Sequence, residues 1–101
     1  MDKIVFITGA SSGIGAGCAR KFASQGASLI LNARNVNKLS ALKEELEKQY
    51  GAKIYLLPFD VRDRKAATSA LESLPKEWQS IDLLVNNAGL VIGTDKEQEG
   101  S

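Results

Sequence analysis

Apolar residues along this chain come in two textures: short unbroken runs, and longer stretches in which they recur every three or four positions. KIVFIT (3–8), ASLILN (27–32), KIYLLPF (53–59) and IDLLVNN (81–87) are of the first kind. A run that is continuously apolar rather than alternating predicts a strand covered on both faces of a parallel sheet. Between the first two runs, Ile14, Cys18, Phe22 and Ala23 fall at helical spacing, and Gly26 stands where a helix needs a left-handed stop. The stretch NVNKLSALKEELEKQYG has Asn35 as an N-cap, Val36, Leu39, Leu42 and Leu46 on one face, Glu44 paired with Lys48 on the other, and Gly51 as terminator. DRKAATSALESLP reads as a helix capped by Asp63, with Ala67, Ala70, Leu71 and Leu74 inward and Pro75 just past its end. Pro58 fits the end of the third strand, because a central proline removes a ladder hydrogen bond.

The predicted order is βαβαβαβ with short connections. This is an α/β class, a parallel sheet wound by right-handed crossovers, and it matches the N-terminal portion of a doubly wound, three-layer fold of the Rossmann type. No repeat or linker interrupts the pattern. The polar stretch GTDKEQEGS (93–101) loses the period and is assigned no structure.

Composition narrows the function classes. With 101 residues, 44% hydrophobic and 25% charged, the chain reads as one soluble globular domain. Its 13 basic and 12 acidic residues leave a net charge of +1 with no long block of either sign, so neither a nucleic acid nor a membrane is expected as partner. Cys18 is the single cysteine, and the apolar run near the N-terminus is too short for a signal-peptide core, so a reducing cytoplasm is the expected address. Because the chain has no histidine to serve as base, Cys18 is read as a small core residue rather than a nucleophile, and no metal site is expected. Trp78 is read as a packing residue near the helix-to-strand connection.

The candidate chemistry lies in ITGASSGIGAG (7–17). A glycine-rich turn between a first strand and a first helix lets backbone N–H groups approach a pyrophosphate at the positive end of the helix dipole. Gly9 would supply the turn, Gly13 the close approach and Gly15 the tight packing of helix on strand, while Ser11 and Ser12 could donate hydroxyl hydrogen bonds to phosphate. The spacing G-x-x-x-G-x-G differs from the common G-x-G-x-x-G, and no nucleoside-triphosphate loop is present. Glycine and serine also populate ordinary turns, but the position after the first strand favours the binding role.

TGASSGIG (8–15), the pair Asp60–Val61 and NNAG (86–89) together resemble the short-chain dehydrogenases/reductases, in which they would be the cofactor loop, the adenine contact and the turn after strand four. The stretch from DVRDRK to NNAGLVIG is similar to the NADP-dependent serine and 3-hydroxy acid dehydrogenase branch. The resemblance covers essentially the whole chain but only the front half of the family's domain. It implies cofactor contacts at Gly9, Ser11, Ser12, Gly13, Ile14 and Gly15, at Arg34 and Asn35, at Asp60 and Val61, and at Asn87, Ala88 and Gly89, with Asn86 a strand-bridging asparagine. An NAD enzyme places a carboxylate at the end of strand two for the ribose 2′-OH, whereas a 2′-phosphate calls for a guanidinium. Here Ala33 stands at that position and Arg34 follows, so NADP is the expected cofactor; the plainer alternatives are a solvated arginine and, for Asp60, an ordinary turn aspartate.

The family's hydride transfer uses a serine and a Y-x-x-x-K pair, and this sequence has no such pair: Tyr50 is followed by GAKI and Tyr55 by LLPF. No catalytic residue is assigned. Three readings follow: the N-terminal part of a longer, homo-oligomeric NADP-dependent dehydrogenase acting on small hydroxy acids or the corresponding carbonyls; a free-standing nucleotide-binding or interaction module; or a wound sheet that binds nothing. The apolar strand IDLLVNN, expected at a sheet edge, favours the first, because stand-alone proteins avoid such edges.

Overall fold

The computed structural model describes residues 3–87. Its elements are β1 (Ile4–Thr8), α1 (Gly13–Ser24), β2 (Ser28–Leu31), α2 (Val36–Tyr50), β3 (Ile54–Leu56), α3 (Arg64–Glu72), a 3-10 turn (Lys76–Trp78) and β4 (Leu83–Asn86). The four strands are parallel in the order β3-β2-β1-β4, with Phe6 of β1 aligned on Ile30 of β2 and Leu84 of β4. The chain thus winds outward from β1 to β3 and then returns to the other side of β1. That reversal is a topological switch point, and the crevice outside the strands' carboxyl ends is where open α/β sheets bind ligands.

The unbroken apolar runs of β1 and β2 are explained by two cores, one on each face of the sheet, whereas β4, expected to be covered on both faces, is largely exposed among the described residues. Val5, Ile7, Leu29 and Leu31 pack with Ala19 and Ala23 of α1 and Leu39, Leu42 and Leu46 of α2, while Phe6 and Ile30 point the other way, among Phe59, Ala67, Leu74 and Trp78. Consecutive strand residues serve opposite layers, so no position on β1 beyond Ile4 has a polar role except Thr8. Each fully buried Leu, Ile or Phe contributes about 1.5–3 kcal/mol of transfer free energy.

Helix ends follow the chain's own signals. Asn35 Oδ1 accepts from the Lys38 N–H and Asp63 Oδ1 from the Ala66 N–H, as expected of caps. Gly51 closes α2 at φ 66°, and Gly26 turns the chain after α1 at φ 87°. The inward face of α1 differs from expectation: Ile14 is 73% exposed, and Gly15, Ala19 and Ala23 are the buried residues, with Ala16, Cys18 and Phe22 partly covered. Val36 is likewise 47% exposed. Both lie in a first helical turn. The ion pair along α2 runs from Lys43 to Glu47 at 2.9 Å rather than from Glu44 to Lys48. Arg20 and Glu45, 2.6 Å apart, tie α1 to α2.

β3 ends before Pro58, as the missing donor of proline requires. The 3-10 turn after Pro75, which the periodicity does not reveal, brings Trp78 against Tyr55 with ring centroids 5.6 Å apart. Among the described residues β4 pairs with β1 alone, and Leu83 and Leu84 are 45% and 37% exposed. No helix among the described residues is long and apolar enough to cross a membrane.

Candidate cofactor-binding site

The turn after β1 is built around a single carbonyl. Gly9, at φ 64°, takes a conformation that side chains disfavour, and its oxygen accepts from the Ser12 N–H at 3.2 Å, the Ser12 hydroxyl at 2.9 Å and Asn87 Nδ2 at 3.5 Å. Ser12 is also the N-cap of α1, its Oγ accepting from the Gly15 N–H at 3.0 Å and from Asn87 Nδ2 at 3.2 Å. Its one hydroxyl proton is committed to Gly9, so Ser12 shapes the turn, and Ser11 is the serine that opens onto the cleft. The spacing could have suggested this, since Ser12 stands three residues ahead of Gly15, at capping distance.

The glycines have separable roles. A Cβ on Gly15 would lie 2.1 Å from the Gly9 oxygen, so α1 can start this close to the turn only with glycine there. A Cβ on Gly13 would meet nothing within 4 Å, so no protein atom demands that glycine. The first-turn amides of Gly13 and Ile14 have no intrahelical acceptor, whereas those of Gly15 and Ala16 are taken by Ser12. Two amides at a helix start, beside a position free of side-chain bulk, form a donor set suited to an oxyanion.

Asn32, which the sequence reading did not single out, locks three strand ends together. Though 1% exposed, its side chain donates to the carbonyls of Leu57 and Phe59 at 3.1 Å each and accepts from the Gly9 N–H at 3.4 Å. Its backbone oxygen accepts from the Ala10 N–H at 2.8 Å. A polar residue closing an otherwise apolar run was its only signal. On the other side of β1, the Thr8 hydroxyl donates to Asn86 Oδ1 at 3.1 Å, so Asn86 bridges strands as expected.

These anchors frame a cleft of about 330 Å³ that brings together Gly9, Ser11, Ala33, Arg34, Asp60 and Val61. The Asp60 carboxylate accepts from Arg62 Nε at 3.1 Å, Nη2 at 2.9 Å and the backbone N–H at 2.9 Å, with Arg34 Nη1 3.9 Å away. The Arg62 side chain, followed by its backbone N–H, pulls the Asp60 carboxyl down to about 2. A neighbouring depression is lined by Ser11, Arg34, Asn35 and Lys38. Of the expected contacts, Asn87 stands against the glycine turn through its side chain, while Ala88 and Gly89 lie outside the described residues. Neither tyrosine lines the cleft: Tyr55 packs on Trp78, and Tyr50 ends α2.

Known proteins resemble this chain in sequence and in fold. The chain is 46% identical over 95 residues to an NADP-dependent 3-hydroxy acid dehydrogenase of Schizosaccharomyces pombe, covering 93% of this chain and 37% of that protein. The crystal structure of serine dehydrogenase from Escherichia coli superposes with a TM-score of 0.77 at 43% identity, over 97% of this chain and 44% of the other. L-Sorbose reductase from Gluconobacter frateurii, solved with NADPH and L-sorbose, gives a TM-score of 0.81 at 32% identity, over 95% and 39%. The chain therefore spans about two fifths of the length of these proteins. The likeness to the serine and 3-hydroxy acid branch expected from residues 60–93 is thus met by these relatives. The short chain dehydrogenase family matches residues 3–100, and with the wound sheet, the glycine turn and the cleft at the strands' carboxyl ends, this match shows that the chain belongs to that family.

Proposed function

We propose that this chain is the NADP-binding portion of an oxidoreductase that interconverts a hydroxyl and a carbonyl on small hydroxy acids or hydroxy amino acids. The observation that carries the reading is the pairing of Ala33 with Arg34 at the end of β2, in a cleft whose other end is the glycine turn. An acid at position 33 would repel a 2′-phosphate, whereas a guanidinium accommodates it with charge-assisted hydrogen bonds. The NADP dependence of the S. pombe relative and the NADPH in the L-sorbose reductase structure support the same choice.

The residues present fit the cofactor. Gly13 and Ile14 would offer amides to the pyrophosphate, Ser11, Arg34 and Asn35 would hold the 2′-phosphate, and Asp60 with Val61 would receive the adenine edge. Asn87, with Ala88 and Gly89, would adjoin the nicotinamide ribose. When bound, the nicotinamide supplies or accepts the hydride. The chain's own contribution is binding and orientation: it carries no Y-x-x-x-K, so alone it should bind without turning over, and the proton-transfer groups belong to the rest of a longer, soluble homo-oligomer. The exposed apolar β4 speaks against a free-standing binding module.

Titration calorimetry with NADP⁺ and NAD⁺ tests this. The protein should prefer NADP⁺, and Arg34→Ala should weaken NADP⁺ by about tenfold or more while changing NAD⁺ little, as expected for losing a charge-assisted bond. Equal affinities in the unmodified protein would contradict the proposal.

A further inference from the structure

Asp60 is held more firmly than its place in a turn requires. Its backbone oxygen accepts from the Asp63 N–H at 2.9 Å and its Oδ1 from the Arg62 N–H at 2.9 Å, two bonds that already account for an aspartate between β3 and α3. Arg62 then lays its guanidinium along the same carboxylate, with Nε 3.1 Å from Oδ1 and 3.3 Å from Oδ2, and Nη2 2.9 Å from Oδ2. This side-on grip fixes the plane of the carboxylate as well as its place. It does little for the fold, since the Arg62 side chain is 75% exposed and its partner is close in sequence. Both residues line the cleft, so the consequence of the grip lies there.

The grip leaves a single acceptor position open. An ionised carboxylate offers about four lone-pair positions, divided between its two oxygens. Oδ1 receives the Arg62 backbone N–H and the Nε–H, while Oδ2 receives an Nη2–H and only the longer share of the Nε–H. Arg34 Nη1, 3.9 Å from Oδ2, stands beyond hydrogen-bonding distance and fills no position. What remains is one lone pair on Oδ2. The grip also lowers the Asp60 carboxyl to about 2, so near neutral pH this position takes a hydrogen-bond donor and offers none. An exocyclic amino group on a purine satisfies it, whereas a carbonyl oxygen in the same place meets a like partial charge and leaves both oxygens unpaired. Freed from Arg62, the carboxylate would keep its backbone bond but lose its fixed plane, with Arg34 as its nearest cation.

We propose that Arg62 is a positioning residue for base selection: by clasping Asp60 it presents one oxygen position to an exocyclic amino group, and so sets a preference for a 6-amino over a 6-oxo purine. The proposal rests on the NADP reading above. Its probes are NADP⁺, the deamino analogue in which hypoxanthine replaces adenine, and NAD⁺, titrated by calorimetry into the protein and into Arg62→Gln, Arg62→Lys and Asp60→Asn. The unmodified protein should prefer NADP⁺ to the deamino analogue about fivefold, as for one partly solvated hydrogen bond to a charged acceptor, and Arg62→Gln should bring the two within about twofold. Arg62→Lys should recover little of the preference, because an ammonium restores the charge but not the fork. In the Asp60→Asn background, Arg62→Gln should change the ratio no further, since Arg62 acts through Asp60. An unmodified protein that does not distinguish the two bases, an Arg62→Gln variant that weakens both equally or neither, or full recovery in Arg62→Lys overturns the proposal. A preference for NADP⁺ over NAD⁺ in the unmodified protein leaves the NADP reading standing in each of those cases, and equal affinity for all three dinucleotides overturns both.

Discussion

Gly13 and Gly15, two positions apart, should respond oppositely to the same substitution. Gly15→Ala drives a Cβ into the Gly9 backbone and should cost about 3 kcal/mol, read as a lowered denaturation midpoint. Gly13→Ala meets open space at a helix start and should leave stability unchanged or raised by about 0.5 kcal/mol, yet weaken cofactor binding by crowding the two free amides. Asn32→Ala removes donors from two buried carbonyls and should cost about 2–3 kcal/mol in urea unfolding. Asp60 has a pH signature. Its carboxyl is lower in the folded protein than the ordinary 3.8, so its contribution to stability is present above pH 3.8 and is lost as the pH falls through about 2. Arg62→Gln should return the carboxyl toward its ordinary value, which a carbon-detected NMR titration would read. The roles of Gly9 and Gly15 were legible because each answers a fixed steric demand within the turn, and Ser12 stands at capping distance from Gly15. Asn32's three-strand lock was not legible, since an asparagine at a strand end looks alike whether it faces a ligand or the backbone.

The strands, and the helix faces formed by Leu39, Leu42 and Leu46 and by Ala67 and Leu74, follow directly from the sequence, because burial on both sheet faces leaves an unbroken apolar run and burial on one helix face leaves a 3.6 period. The first turns of α1 and α2 do not follow. Ile14 and Val36 fit the period, yet both lie in a first helical turn and stay exposed. The 3-10 turn at Lys76–Trp78 is too short to have a period at all. β4 carries the clearest consequence at this scale. Among the described residues it has one neighbouring strand and leaves Leu83 and Leu84 exposed, so its outer edge and apolar side chains together predict that the 101-residue chain self-associates. Leu84→Lys should shift it toward monomer in sedimentation velocity, and an unmodified chain that stays monomeric at high concentration would contradict this.

In the whole molecule, two thin cores share one sheet, and the cleft lies at the carboxyl ends of β1, β2 and β3. Position rather than any single side chain carries the nucleotide-site proposal: β1 delivers the glycine turn, β2 delivers Arg34, and β3 delivers Asp60 to the same crevice, with Asn32 holding the three ends in register. The fold class was readable, and so was the gathering of Gly9, Ser11, Arg34, Asp60 and Val61 in one cleft, because these residues sit at strand ends whose order the topology dictates.

The central claim is that this cleft binds NADP in preference to NAD, and a thermal melt of the chain with each dinucleotide tests it most directly, since a ligand that binds only the folded state must raise the midpoint. The account predicts a larger upward shift with NADP⁺ than with NAD⁺ at equal concentration; a cooperative melt moved equally by both, or by neither, would contradict it.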